Sequence, residues 1–227
     1  MCLVLLAWHA HAHYPLVLAA NRDEFHARPA ARARFWHDAT EILAGRDLQA
    51  GGSWLGISRS GRFAAVTNVR GDHDPAAAES RGALVARFLV EGARCAEYAA
   101  EVFERRGNYS GFNLLLGDWN ELWWVSNRDS APRRLERGIY GLGNRSLDTP
   151  DVAGPRARFA QVLERTLALE PIFAVLEAER IVAPEYGTRC ATVLLGSAAG
   201  RLLFAEREFD ASGAPGDTVR FEFARTA

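Results

Sequence analysis

The sequence contains no lysine, and all 27 of its basic residues are arginine. That excludes a lysine nucleophile, a Schiff base and a phosphate-cradling P-loop lysine. With alanine so abundant, arginine in place of lysine reads as the mark of a GC-rich, bacterial genome. Cysteine is scarce: Cys2, Cys95 and Cys190 are odd in number and far apart. They make neither a disulfide framework nor a CxxC metal site. Cys95 falls in an alanine-rich helical stretch and Cys190 near the start of a strand, and both are expected to be inert core thiols. No apolar run approaches the roughly 18 residues of a membrane span. No charge precedes Leu3, and the apolar opening MCLVLLAW stops at Trp8 before HAHAH, which is not the pattern of a secretion signal. A cytoplasmic protein without stable membrane insertion is expected. Net charge is -1, which removes a global electrostatic case for binding nucleic acid. There is no internal repeat, low-complexity linker or composition break, so residues 1–227 are expected to form a single domain. Nothing in the sequence fixes an oligomeric state.

What is present is a series of short apolar runs that pair off. Leu3–Trp8 and Leu16–Ala20 flank a polar, histidine-rich turn and read as a hairpin. Trp54–Ser58 and Arg62–Thr67 flank a turn at Ser60–Gly61. From Glu79 to Arg106 the pattern becomes helical: Leu84, Val85, Phe88 and Leu89 share a face, and Gly92 breaks the run. FNLLLGD and ELWWVSN form another hairpin across Asp118–Asn120, and Gly138–Leu142 is a short strand. Ala153–Ala183 is expected to be helical with a break near Pro171. Thr192–Leu195 and Leu202–Glu206 pair around Ala199–Gly200, and Thr218–Ala224 closes the chain as a strand. Hairpins alternating with helix pairs predict an α+β chain. Two stacked antiparallel sheets with helices outside, a four-layer αββα sandwich, is the economical arrangement.

The chemistry-bearing residues cluster at strand ends. Residue 2 is small enough for the initiator methionine to be removed, which would place an α-amine and a thiol on Cys2. The amine, with a reference pKa of about 7.7–8.0, can accept the thiol proton. Alone, a cysteine there is an ordinary strand residue. The segment AANRDEFHARP adds to it. If strand two ends at Ala20 and pairs with strand one, Asn21, Arg22, Asp23 and Glu24 come to lie near Cys2. An arginine there favours thiolate, and a carboxylate there can hold the α-amine. The alternative is a solvated loop with a local salt bridge. Asn68 ends a strand in VTNVR, where its amide can donate to an oxyanion or simply close a turn. Asn144 follows a strand in YGLGNRSLDTP, and Arg189 precedes one in YGTRCATVLL.

CLVLLAW, LAANRDEFHARP, GGSWLGIS, TNVR, GFNLLLGD, YGLGNRSLDTP and YGTRCATVLL, in that order, resemble the NRDE family, also called the transport-and-Golgi-organisation-2 family. The resemblance spans nearly the whole chain. It implies the αββα fold of N-terminal-nucleophile (Ntn) hydrolases, whose cysteine members cleave amides. On that resemblance Cys2 matches the nucleophile, Asp23 the carboxylate that binds its amine, Asn68 an oxyanion donor and Asn144 a second oxyanion or substrate contact. Asn21, Arg22 and Arg189 would bind substrate. The usual aromatic and lysine after LDTP are here Asp151, Val152 and Ala153.

Two functions follow. One is a cysteine amidohydrolase acting on small acyl or amide substrates, with no metal and no cofactor required. The other, implied by the family's association with haem trafficking, is a carrier with haem as ligand in the same pocket. His9, His11 and His13, with His26 and His37 nearby, are the candidate axial ligands; the bland reading of HAHAH is an exposed polar turn. The six tryptophans can line a pocket, though core is the commoner place for them.

Overall fold

The computed structural model describes residues 2–226. They divide into two compact units interleaved along the chain. The first comprises the segment up to Arg28, Arg137–Gly143 and Leu147–Arg225; the second comprises Pro29–Glu136, Asn144–Ser146 and the segment from Thr226.

In the first unit, β1 (Leu3–Trp8) and β2 (Leu16–Phe25) form the expected hairpin, with Leu3 opposite Asn21 and Trp8 opposite Leu16. Every residue of β1 is buried, as its unbroken apolar run requires. Later strands join on both sides. Numbered in chain order, β10 (Gly138–Leu142) pairs with β1, while β11 (Tyr186–Gly196) pairs with β2. β12 (Arg201–Phe209) and β13 (Pro215–Ala224) complete an antiparallel sheet in the order β10-β1-β2-β11-β12-β13. Two helices, α3 (Ala153–Arg165) and α4 (Leu169–Glu177), pack on one face. Leu3, Leu5, Val17, Ala19 and Val193 meet Phe159, Ile172, Phe173 and Leu176 there in one apolar cluster. Each such large side chain contributes about 1.5–3 kcal/mol on burial.

The second unit holds a seven-stranded meander, β3 to β9 in order. Its strands are β3 (Ala30–Phe35), β4 (Ile42–Asp47), β5 (Leu55–Ser58), β6 (Phe63–Asn68), β7 (Phe112–Gly117), β8 (Leu122–Ser126) and β9 (Arg133–Leu135). Helices α1 (Arg81–Glu91) and α2 (Cys95–Glu104) supply the same service here: Leu84, Val85, Phe88, Tyr98 and Val102 pack on Ile42, Ala64, Leu114 and Leu116. The break between the helices is the expected one, with Gly92 in the left-handed conformation that ends α1 (φ 69°).

Three expectations need correction. Strand two does not end at Ala20: it runs to Phe25 and stays buried through Asp23. Its polar residues are accommodated because β11 supplies a second ladder, with Arg22 opposite Cys190 and Asp23 opposite Thr188. The interruption of the second helical region lies at residues 166–168, not at Pro171, which occupies the first turn of α4 where its missing N–H is not needed. That region also stops at Glu177 instead of continuing to Ala183. β3 and β4 went unread in the sequence because ARARF and ILAGRD carry too much charge for an apolar run.

Candidate functional site

The geometry of the first unit centres on Asp23. Cys2, a partly exposed residue, donates its thiol to the Asp23 carbonyl at 3.5 Å. The phenol of Tyr186 donates to the same carbonyl at 3.1 Å. The Asp23 carboxylate, itself 3% exposed, accepts the Thr188 hydroxyl at 2.5 Å through Oδ1. Cys2 is therefore joined to Asp23, and Asp23 is joined to β11 by two of that strand's side chains. This follows from the register: Leu3 opposite Asn21 brings the residue before Leu3 alongside the charged end of β2.

The thiol is pushed up to about 11 by burial first and by the Asp23 carboxylate second. The sequence led us to expect an arginine favouring thiolate. Arg22 is engaged elsewhere, its charge acting on Cys190. Successive residues of β2 alternate faces. Asn21 points to the helices, its amide donating to the Leu176 carbonyl of α4 at 2.8 Å. Arg22 points the other way, where its charge acts on Cys190. Cys190 lies 3.6 Å from the buried Glu206 carboxylate, which also accepts the Thr192 hydroxyl at 3.3 Å. Burial, then Glu206, raises the Cys190 thiol well above its ordinary value.

Arg189 occupies a β-bulge, the pairing of β11 with β2 shifting between Thr188 and Cys190. Its Nη1 donates to the carbonyls of Phe25, His26 and Arg28, so its guanidinium ties down the chain beyond β2. Asn68 and Asn144 belong to the second unit. The Asn144 amide donates to the Asn68 carbonyl at 2.8 Å, and the Asn144 carbonyl accepts from the Arg70 amide at 2.8 Å. Both asparagines are partly exposed. The expected removal of Met1 falls outside the described residues. Thr188 and Tyr186 are the residues that sequence reasoning passed over. Both stand in the quoted segment YGTRC, spaced two apart as residues of one strand face are, but only the register shows what that face meets.

The histidine run is the loop between β1 and β2. His13 donates its amide to His11 Nδ1 at 3.2 Å, and the His11 ring meets His13 and Tyr14 edgewise at 6.1 and 5.6 Å. This loop and Cys2 are at opposite ends of β1, about 20 Å apart at about 3.3 Å per residue. His26 Nε2 lies 3.1 Å from the Ala183 carbonyl, and His37 is exposed. One further titratable cluster lies in the second unit. Cys95, Asp118 and Glu121 present ligand-type atoms within 4.8 Å of one another, Asp118 and Glu121 lining a cavity of about 430 Å³. Arg62, Arg94 and Arg134 line the same cavity, and both carboxylates already accept bonds from the protein, Asp118 from the Asn120 and Glu121 amides and Glu121 from Trp123. Three arginines thus line the cavity beside two carboxylates, which disfavours a bound cation. No helix among the described residues is long and apolar enough to cross a membrane.

Comparison with known proteins adds three kinds of likeness. A family model described as Transport and Golgi organisation 2 matches residues 1–183. The Transport and Golgi organization protein 2 homologues of Bos taurus and Homo sapiens are 33% and 32% identical over 92% of this chain, and 90% and 92% of their own length is covered. The Drosophila melanogaster protein of that name is 33% identical over 58% of this chain and 52% of its own. Among solved structures, an N-acylethanolamine-hydrolyzing acid amidase orthologue from Caenorhabditis elegans superposes with TM-score 0.54 at 12% identity, covering 86% of this chain and 92% of that one. A mutant conjugated bile acid hydrolase from Clostridium perfringens gives TM-score 0.52 at 9% identity over 100% and 98%. At such identities the likeness is one of fold, and the expected α+β, Ntn-hydrolase-like class is the fold of this chain.

Proposed function

Because the chain belongs to the Transport and Golgi organisation 2 family and has an Ntn-hydrolase-like fold, we propose that it is a cysteine amidohydrolase acting on small acylated amides. The observation that carries this reading is the thiol of Cys2, a partly exposed residue, on the carbonyl of Asp23, a residue whose carboxylate is buried and held. Of the three cysteines Cys2 is the residue with surface exposed, whereas Cys95 and Cys190 are sealed in the core.

Once Met1 is removed, the Cys2 α-amine takes the thiol proton, which offsets the high thiol pKa by removing the proton only as attack begins. The thiolate adds to the amide carbon, giving a tetrahedral oxyanion. Collapse breaks the C–N bond, the leaving amine takes the proton from the α-ammonium, and a thioester to Cys2 remains. Water then adds to the thioester, the α-amine accepting its proton, and the acid leaves as the thiol re-forms. Amide plus water gives acid plus amine. Asp23 holds the α-amine in place. Arg22, aligned beside Cys190, and Arg189 and Asn21, bonded to main-chain carbonyls, support the strands around the nucleophile.

The test is intact mass followed by trapping. Mature protein should lack Met1, and a short acyl amide offered to it should add the acyl mass to Cys2 transiently, with no adduct in Cys2→Ala. A spectrum in which Met1 is retained ends the proposal. A haem titration run beside it reads the carrier alternative: a Soret shift lost in Cys2→Ala, with no acyl adduct, would favour transport over hydrolysis.

A further inference from the structure

The bulge in β11 decides what stands opposite Asp23. From Gly196 to Cys190 the pairing with β2 is regular: Gly196 faces Leu16, Ala191 faces Asn21 and Cys190 faces Arg22. Continued without interruption, that ladder would bring Arg189 opposite Asp23. Instead the register shifts by one, and Thr188 takes the place. Arg189 is thrown out to the carbonyls of residues 25, 26 and 28.

The two outcomes differ chemically. A guanidinium directly opposite would engage the carboxylate with its own charge. A hydroxyl holds the carboxylate in place and leaves its charge intact. The direction of the Thr188 bond is also determined. The Ile181 amide donates to Thr188 Oγ1 at 2.9 Å, and an amide N–H can do nothing else. The single hydroxyl proton of Thr188 is left to donate, and it goes to Asp23 Oδ1 at 2.5 Å. Thr188 is 2% exposed, so no water competes for it. Two residues along the same strand, Tyr186 donates to the carbonyl of Asp23. Asp23 is held at carboxylate and main chain from one strand.

We propose that Thr188 is a positioning residue: through the bulge at Arg189 it sets the orientation of the Asp23 carboxylate toward Cys2 while keeping an arginine away from it. The proposal rests on the reading of Cys2 as nucleophile for its purpose, but its geometry can be tested without turnover. The charges that act on the Cys2 thiol are Asp23 and Glu24 on β2, which raise its pKa, and the terminal amine, which lowers it, with the Tyr186 phenol on β11 bonded to the same carbonyl as the thiol.

The experiment compares Thr188→Val, which keeps shape and removes the hydroxyl, with Thr188→Ser, which restores it. The readout is the pH midpoint of Cys2 alkylation by iodoacetamide, followed by peptide mass. A midpoint reports the charge near the thiol; looser packing changes the rate but does not mimic restoration by serine. In Thr188→Val the Asp23 carboxylate loses the donor that fixes it and turns away from the thiol, so the midpoint is expected to fall; each unit is about a tenfold change in thiolate at a fixed lower pH. Thr188→Ser should return it to the wild-type value. In an Asp23→Asn background Thr188→Val should cause no further shift. If Thr188→Val does not fold, Thr188→Ala is measured against Thr188→Ser in the same way. An unchanged midpoint in the hydroxyl-free variant, or a shift that persists in the Asp23→Asn background, overturns the proposal. A protein that hydrolyses nothing but shows the shift and its restoration would defeat the hydrolase reading and leave the positioning role standing.

Discussion

Alkylation of the three cysteines as a function of pH tests the reasoning about Cys2 directly. In the unprocessed chain the thiol stands at about 11, against 9.0 for an unperturbed cysteine. At about pH 8, roughly one molecule in 1,000 is then thiolate, where an unperturbed thiol would have roughly one in eleven. The thiolate population is lower by about a hundredfold. A more basic thiolate is also a better nucleophile, by roughly 0.4–0.5 log units per pKa unit, which recovers slightly under tenfold. The net expectation is that Cys2 reacts about tenfold more slowly than a free cysteine peptide, with the logarithm of its rate climbing one unit per pH unit to about 11. Cys95, pushed up to about 12 by burial and then by Asp118, and Cys190 are sealed at 0% and 4% exposure and should react only on opening of the fold. The assay is timed iodoacetamide quenching with peptide mass readout from about pH 7 to pH 11. Protein lacking Met1 should differ in one respect: its free amine titrates near about 7.7–8.0 and puts a step in the profile there. A plateau near pH 9 in the unprocessed chain would refute the account of burial and Asp23. So would labelling of Cys95 or Cys190 in native protein as fast as Cys2.

Two stability predictions follow from single contacts. Asn21→Ala removes the donor to the buried Leu176 carbonyl and should cost about 1–3 kcal/mol, read as a lower urea midpoint at unchanged slope; an unaltered midpoint would show that this bond does not hold α4 to β2. Gly52→Ala would place a methyl 2.3 Å from the Gly82 carbonyl carbon and 2.5 Å from its oxygen, and main chain on both sides cannot step aside. It should cost at least about 1–3 kcal/mol, whereas Gly107→Ala, with nothing within 4 Å of the new methyl, should be near neutral; equal melting temperatures for the two would refute the packing argument.

The sequence alone determined that β1 and β2 pair, that helix pairs alternate with hairpins, and that Gly92 divides α1 from α2. Each is a local matter: an apolar run, a 3.6-residue period, a glycine able to take a left-handed conformation. It also brought Cys2 and Asp23 together, because a hairpin places the start of one strand beside the end of the other. Where β2 stops was not local. Asn21 to Phe25 look like a polar loop, and they are a strand because β11, more than 160 residues later, satisfies their backbone. The directions of Asn21, Arg22 and Arg189 were decided the same way, since one residue of register exchanges the faces of a strand and one bulged residue changes the partner of Asp23. Thr188 has no distinguishing mark in the sequence. Its position opposite a buried carboxylate exists only once two distant strands have met.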